Sequence, residues 1–151
     1  MLAKDIMTTN VVKVRTDDTV DEVIRLLVDN KISGIPVVDN DNLVVGIVTE
    51  ADLLVRSQKL HVPSYIQILG GIIYLDDPDE LKEDLRKLAA IKVEDMMTSD
   101  PITVEEDTLV DEIATIMSDE GINRVPVVRE ERIVGIVSRA DIIRSLARKG
   151  Q

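Results

Sequence analysis

The chain has 151 residues, 44% of them hydrophobic, a formal charge of −11, a single His, and no Cys, Phe or Trp. That balance argues against a nucleic-acid surface, which needs clustered Lys and Arg or stacking aromatics, and against an anionic membrane surface. Without Cys there are no disulfides or thiolate zinc sites; with no signal peptide and no apolar run near about 18 residues, the chain reads as cytoplasmic.

Taken from the N-terminus, Met7-Thr8 opens the chain and a short strand follows in "NVVKV". Val20, Val23, Ile24 and Leu27 then recur at helical spacing, with Thr19 and Glu22 placed to cap the helix. Two strands, "GIPVVD" and "LVVGIVT", are joined by an Asn/Asp turn, and a helix runs from Glu50 to about Ser57. Asp39, Asp41 and Glu50 match the first, third and twelfth positions of a calcium loop. Leu43 and Val44 stand where that loop needs a ligand and its Gly, so the segment reads as a hairpin turn.

The central stretch has a different character. "SYIQILGGIIYL" is apolar around Gly70-Gly71, with no phosphate-loop pattern, and Asp77-Pro78-Asp79-Glu80 starts a helix whose Leu81, Leu85 and Leu88 share a face. It is either a linker packing on its own domain or a docking surface for a second subunit. His61 has no sequence partner for metal binding or base chemistry, and no carboxylate dyad or nucleophile-base arrangement stands out. The remainder repeats the first third. "PITV" reads as a strand, and Val110, Ile113, Ile116 and Met117 as a helix with Thr108 and Asp111 as its cap; "RVPVV" and "IVGIVS" are strands, with a helix after Ser138.

Residues 4–41 align on 94–131, and 43–56 on 132–145. About 19 of about 52 pairs are identical, far beyond chance, so the chain is a duplicated domain rather than a solenoid. The organisation expected is 1–57, an intervening segment 58–91, and 92–151. Each repeat has the order β-α-β-β-α, an α+β fold whose continuous apolar strands are covered on both faces.

The repeats share one corner, a "GIV" strand ending in Thr49 or Ser138 with Asp52 or Asp141 three residues on. The plain reading is a capping box contributing roughly 1 kcal/mol. Three features point further: Gly46 and Gly135 leave space beside the backbone, each corner follows the same Pro-Val-Val strand and Met-Thr opening, and a two-fold pairing would put helix N-termini and strand ends in shared clefts. Helix N-termini favour phosphate, a carboxylate accepts the cis-hydroxyls of a ribose, and aliphatic walls suit a flat base.

These motifs, in order and twice over, resemble a pair of CBS domains, the tandem called a Bateman module, across about 100 of the 151 residues. The resemblance implies pseudo-two-fold packing and two clefts binding adenosine compounds (AMP, ADP, ATP, S-adenosylmethionine) that regulate an attached or associated protein. It implies no catalytic residue, no metal and no cofactor beyond the regulatory ligand. Asp52 and Asp141 are then the ribose ligands, with Thr49 and Ser138 on ribose or phosphate and Ile47 and Ile136 lining the walls. Thr98, Ile102, Ile122 and Asn123 would face the site of Asp52; Thr8, Val12, Ile32 and Ser33 would face that of Asp141.

With no effector domain in view, the output runs through a homodimer or a regulated partner. The rival readings are a ligand-free oligomerisation module and a minimal nucleotide hydrolase. The two sites differ in charge: Arg124 has Gly34 as its counterpart, and Arg139 has Glu50. Each site therefore has one candidate cation, but Glu50 repels phosphate at the first. Polyphosphate preference should belong to Asp141, so Asp141→Ala should lose ATP affinity in a titration while Asp52→Ala keeps more. The opposite ranking would reverse the assignment.

Overall fold

In the computed structural model, which describes residues 1–54 and 89–150, the elements read from apolar spacing form within the described residues, and short helical turns at Ala3–Ile6 and Val93–Asp95 and a strand at Thr98–Ser99 join them. The Gly70-Gly71 turn, His61 and the helix expected from Asp77 lie outside the described residues. Two compact units are present: one comprises Met1–Val11, Asn40–Val44 and Asp100–Gln151, the other Val12–Asp39 and Val45–Ser99. They are called here the Asp141 unit and the Asp52 unit.

The Asp52 unit contains β1 (Val14–Arg15), α2 (Val20–Asn30), β2 (Gly34–Val38), β3 (Val44–Thr49) from its second residue on, helical residues 50–54 (α3) and β4 (Thr98–Ser99). Its sheet has the order β1-β2-β3-β4. β1 runs parallel to β2, with Val14 opposite Val37; β4 runs antiparallel to β3, with Thr98 opposite Ile47. Every residue of β2 is buried, as its unbroken apolar run requires. The core is aliphatic throughout: Val20, Val23, Ile24 and Leu27 of α2 meet Ile35, Val37, Val48 and Leu53, and Val93 and Met96 complete it.

The Asp141 unit contains α1 (Ala3–Ile6), β5 (Val104–Glu105), α4 (Val110–Glu120), β6 (Arg124–Arg129), β7 (Arg132–Ser138) and α5 (Arg139–Lys149). Its sheet has the order β5-β6-β7, with β6 and β7 an antiparallel hairpin. Glu130 and Glu131 turn that hairpin at φ 50° and 66°, the left-handed conformation that a two-residue loop between twisted strands needs. Ile113, Met117, Val125, Val127 and Val137 fill the core together with Ala3.

The opening of each repeat is packed on the other repeat's core. Ala3 N–H donates to Thr108 O (2.8 Å) and Lys4 N–H to Glu106 O (3.0 Å). At an offset of 90 the same bonds recur: Val93 N–H to Asp18 O (2.8 Å) and Glu94 N–H to Thr16 O (3.0 Å). The compact units therefore divide the chain differently from the sequence repeats.

Two local expectations change. The space beside Gly46 and Gly135 is filled by side chains: a Cβ there would run into Met97 and Met7 respectively. The glycines admit the exchanged methionines. At the start of α4 the N-cap is Leu109, and Thr108 instead accepts the Glu105 N–H at 3.1 Å. Asp18 does the same for the Arg15 N–H at 2.8 Å, so Thr108 stands for Asp18 and not for Thr19.

Gly135→Ala should therefore destabilise the protein by about 1–3 kcal/mol through overpacking. Thermal or urea unfolding should show Met7→Ala relieving part of that loss in the double variant. Full additivity of the two losses would contradict this packing.

Candidate functional site

A β-strand delivers Thr49 and Ser138 to their corners in extended conformation, and the chain turns at once into helix. Ser138 has φ −105° and ψ 165°, and its hydroxyl accepts the Asp141 N–H at 3.3 Å. In return Asp141 Oδ2 accepts the Ser138 N–H (2.8 Å) and hydroxyl (2.9 Å). Asp52 Oδ2 likewise accepts the Thr49 N–H (2.9 Å) and hydroxyl (3.2 Å), while its own N–H donates to Thr49 Oγ1 at 3.4 Å. Both boxes are therefore closed caps, as elementary helix chemistry predicts.

The second oxygen of each carboxylate does something else. Asp52 Oδ1 accepts a hydrogen bond from the Thr98 hydroxyl at 3.1 Å. Asp141 Oδ1 is held by the guanidinium of Arg144, one turn along α5. Asp141 is 8% exposed and Asp52 is half-buried. An ionised carboxylate has about four acceptor positions, and the box uses two of them on Oδ2. Each Oδ1 thus keeps two, and among the described residues one donor from outside the box occupies each.

The remaining sequence candidates fall into place around these corners. Ile47 pairs with Thr98, and Ile136 exchanges backbone bonds with Thr8 at 2.9 and 3.0 Å, so each Met-Thr segment lies beside the strand that leads to a corner. Ser33 O accepts the Glu50 N–H at 3.0 Å, placing Ser33 at the corner of Asp52. Asn123 O accepts the Arg139 N–H at 2.8 Å, placing Asn123 at that of Asp141. Of the residues expected from the opposite repeat, Thr98 and Thr8 lie beside the strands that lead to the corners they were assigned. Ile32 and Ile122 pack on the cores of their own repeats, and Val12 on that of the Asp52 unit; Ile102 belongs to the Asp141 unit and is exposed.

Arg124 stands opposite Ser138 in the β6–β7 ladder, so it and Arg139 gather at one corner. The sequence reading missed Arg144. Its three-residue spacing from Asp141 was the available signal, and the aligned residue in the first repeat is Val55.

The sequence profile of the CBS domain matches residues 3–59 and 93–148. The chain belongs to the CBS domain family. An uncharacterized protein of Methanocaldococcus jannaschii is 37% identical, covering 97% of this chain and 91% of its own length. The chloroplastic CBS domain-containing protein CBSX1 of Arabidopsis thaliana is 33% identical, over 87% of this chain and 57% of its own.

Among solved structures, Arabidopsis CBSX2 in complex with AMP matches with a TM-score of 0.75 at 25% identity, over 99% of this chain and 98% of that one. The CBS domain pair of protein MJ0100, in complex with 5′-methylthioadenosine and S-adenosyl-L-methionine, matches with a TM-score of 0.72 at 27% identity, over 99% and 98% of the two chains. The α+β architecture of two sheets is that of a tandem CBS pair.

Ser138→Ala in this CBS pair should lower stability by about 1 kcal/mol, the usual cost of a lost N-cap. Arg144→Ala should shift it by less than about 1 kcal/mol, because the Arg144 side chain is 66% exposed and its ion pair is screened by solvent. Urea unfolding of the two variants checks the ranking.

Proposed function

We propose that the chain is a non-catalytic regulatory module that binds adenosine-containing ligands, of the AMP, ADP, ATP or S-adenosylmethionine class, at the corners of Asp52 and Asp141. The observation that carries this reading is the division of labour within each carboxylate. Oδ2 is consumed by the cap, and Oδ1 faces a donor that a ligand can displace. A ribose presents two adjacent hydroxyls, and each Oδ1 has two acceptor positions once its donor moves away. The two CBS pairs solved with AMP, and with methylthioadenosine and S-adenosylmethionine, support adenosine as the common part.

A sensor of cellular nucleotides works at micromolar to millimolar Kd, about −8 to −4 kcal/mol, which a buried base and two charge-assisted sugar bonds supply. The ligand shifts an equilibrium between conformations or assemblies only by its difference in affinity for them.

The same reading has the module as a cytoplasmic homodimer acting on a regulated protein. On α5, Ile143 and Leu146 lie one turn apart and are 59% and 55% exposed, which supports association through helices. That feature also favours the alternative of a ligand-free interaction module.

A thermal-shift panel of AMP, ADP, ATP, S-adenosylmethionine and methylthioadenosine separates the two. At a hundredfold excess over Kd, stabilisation by about 2.7 kcal/mol should raise Tm by roughly 5–10 °C. The Asp52→Ala/Asp141→Ala double variant should lose the response. No shift with any adenosine compound would leave the interaction module standing, and light scattering that shows a monomer at high concentration would remove the dimer.

A further inference from the structure

The two corners are closed by different chemistry. Thr98 covers Asp52 Oδ1 with a neutral, exposed hydroxyl, whereas Arg144 covers Asp141 Oδ1 with a full charge. On the assumption that both corners bind adenosine compounds, we propose that Arg144 is a specificity-determining gate that reserves the Asp141 corner for 5′-phosphorylated nucleosides, a condition the Asp52 corner does not set.

The reason lies in what each donor gives up. When sugar hydroxyls take Asp52 Oδ1, Thr98 loses one hydrogen bond and regains water, so any adenosine compound is an adequate replacement. When they take Asp141 Oδ1, Arg144 must release a carboxylate that is only 8% exposed, and the sugar offers no cation in its place. A neutral nucleoside leaves that solvent-screened pair unreplaced, a loss of no more than a few-fold in affinity.

A nucleoside with a 5′-phosphate returns an anion to Arg144. The guanidinium sits on a long side chain, 66% exposed, that can swing from carboxylate to phosphate without disturbing the core. Arg139 follows Ser138 at the same corner and adds positive potential there. The Asp52 corner has Glu50 at the corresponding position, and Val55 aligned with Arg144. One carboxylate chemistry is thereby tuned in two directions.

Calorimetric titration with AMP and adenosine tests the gate. In an Asp52→Ala background, with Asp52→Asn as a second version, AMP should bind at least about tenfold more tightly than adenosine, the worth of one charge-assisted pair. Adding Arg144→Gln should weaken AMP and strengthen adenosine, bringing the two within about threefold of each other, and Arg144→Lys should restore part of the preference.

The gain in adenosine affinity is the decisive readout, because damage to the fold would weaken both probes. Adenosine affinity that falls or stays constant in Arg144→Gln overturns the gate while leaving the binding function intact. Complete loss of both probes in the Asp52 variants, with binding in the unmodified chain, also overturns it, since the Asp141 corner would then bind neither. If the unmodified chain binds neither probe, the adenosine reading itself fails and the gate with it.

Discussion

Neither repeat can close its own core. Val93 and Met96 are buried among the side chains of the first repeat, and Ala3 among those of the second, so each hydrophobic cluster ends in residues about 90 positions away in sequence. Gly46 and Gly135 make this possible by letting a methionine lie directly on the strand backbone. With no Phe or Trp to fill volume, the core depends on many close aliphatic contacts, and losing the thioether that covers a strand would open a cavity. The same exchanged segments carry Thr8 and Thr98 to the strands that end in Ser138 and Thr49. Core closure and assembly of the two corners are one event.

At the corners, a single carboxylate serves two masters. Its inner oxygen satisfies helix N-terminal groups that would otherwise be left unpaired, which fixes the side chain in one rotamer. Its other oxygen is thereby turned toward a second donor, Thr98 or Arg144. In the proposed function, a cap that contributes about 1 kcal/mol to stability also preorganises the acceptor for a sugar. The helix cap, one of the two readings left open by sequence, is present at both corners, and it is compatible with the proposed ligand role.

Much of this was legible in the chain. The duplication, the β-α-β-β-α order and both Thr/Ser-Asp corners rest on local periodicity and cap chemistry, which need no tertiary information. Other features were not legible, each for a physical reason. Met7 and Met97 occupy equivalent positions, so spacing alone does not say which core each one covers; the opposite-repeat placement of Thr98 came from family resemblance. Thr108 sits one residue before the cap, where its hydroxyl serves the preceding turn at Glu105. Arg144 is one of several arginines near the C-terminus, and its three-residue spacing from Asp141 gains meaning only from the direction of its side chain. Asn123 and Ser33 are tied to the corner of their own repeat by backbone bonds that no side-chain pattern announces.

The exchange of opening segments also bears on how such a chain could arise. An isolated ancestor of one repeat would have had its first ten or so residues left over and its strand glycine uncovered, and two copies trading those arms would have satisfied both. Joining the copies end to end turns a bimolecular association into an intramolecular one, so the pair stays intact at any dilution. Once joined, the halves were free to diverge: valine at position 55 and arginine at 144 are the kind of difference that a strictly symmetric pair of identical copies could never hold.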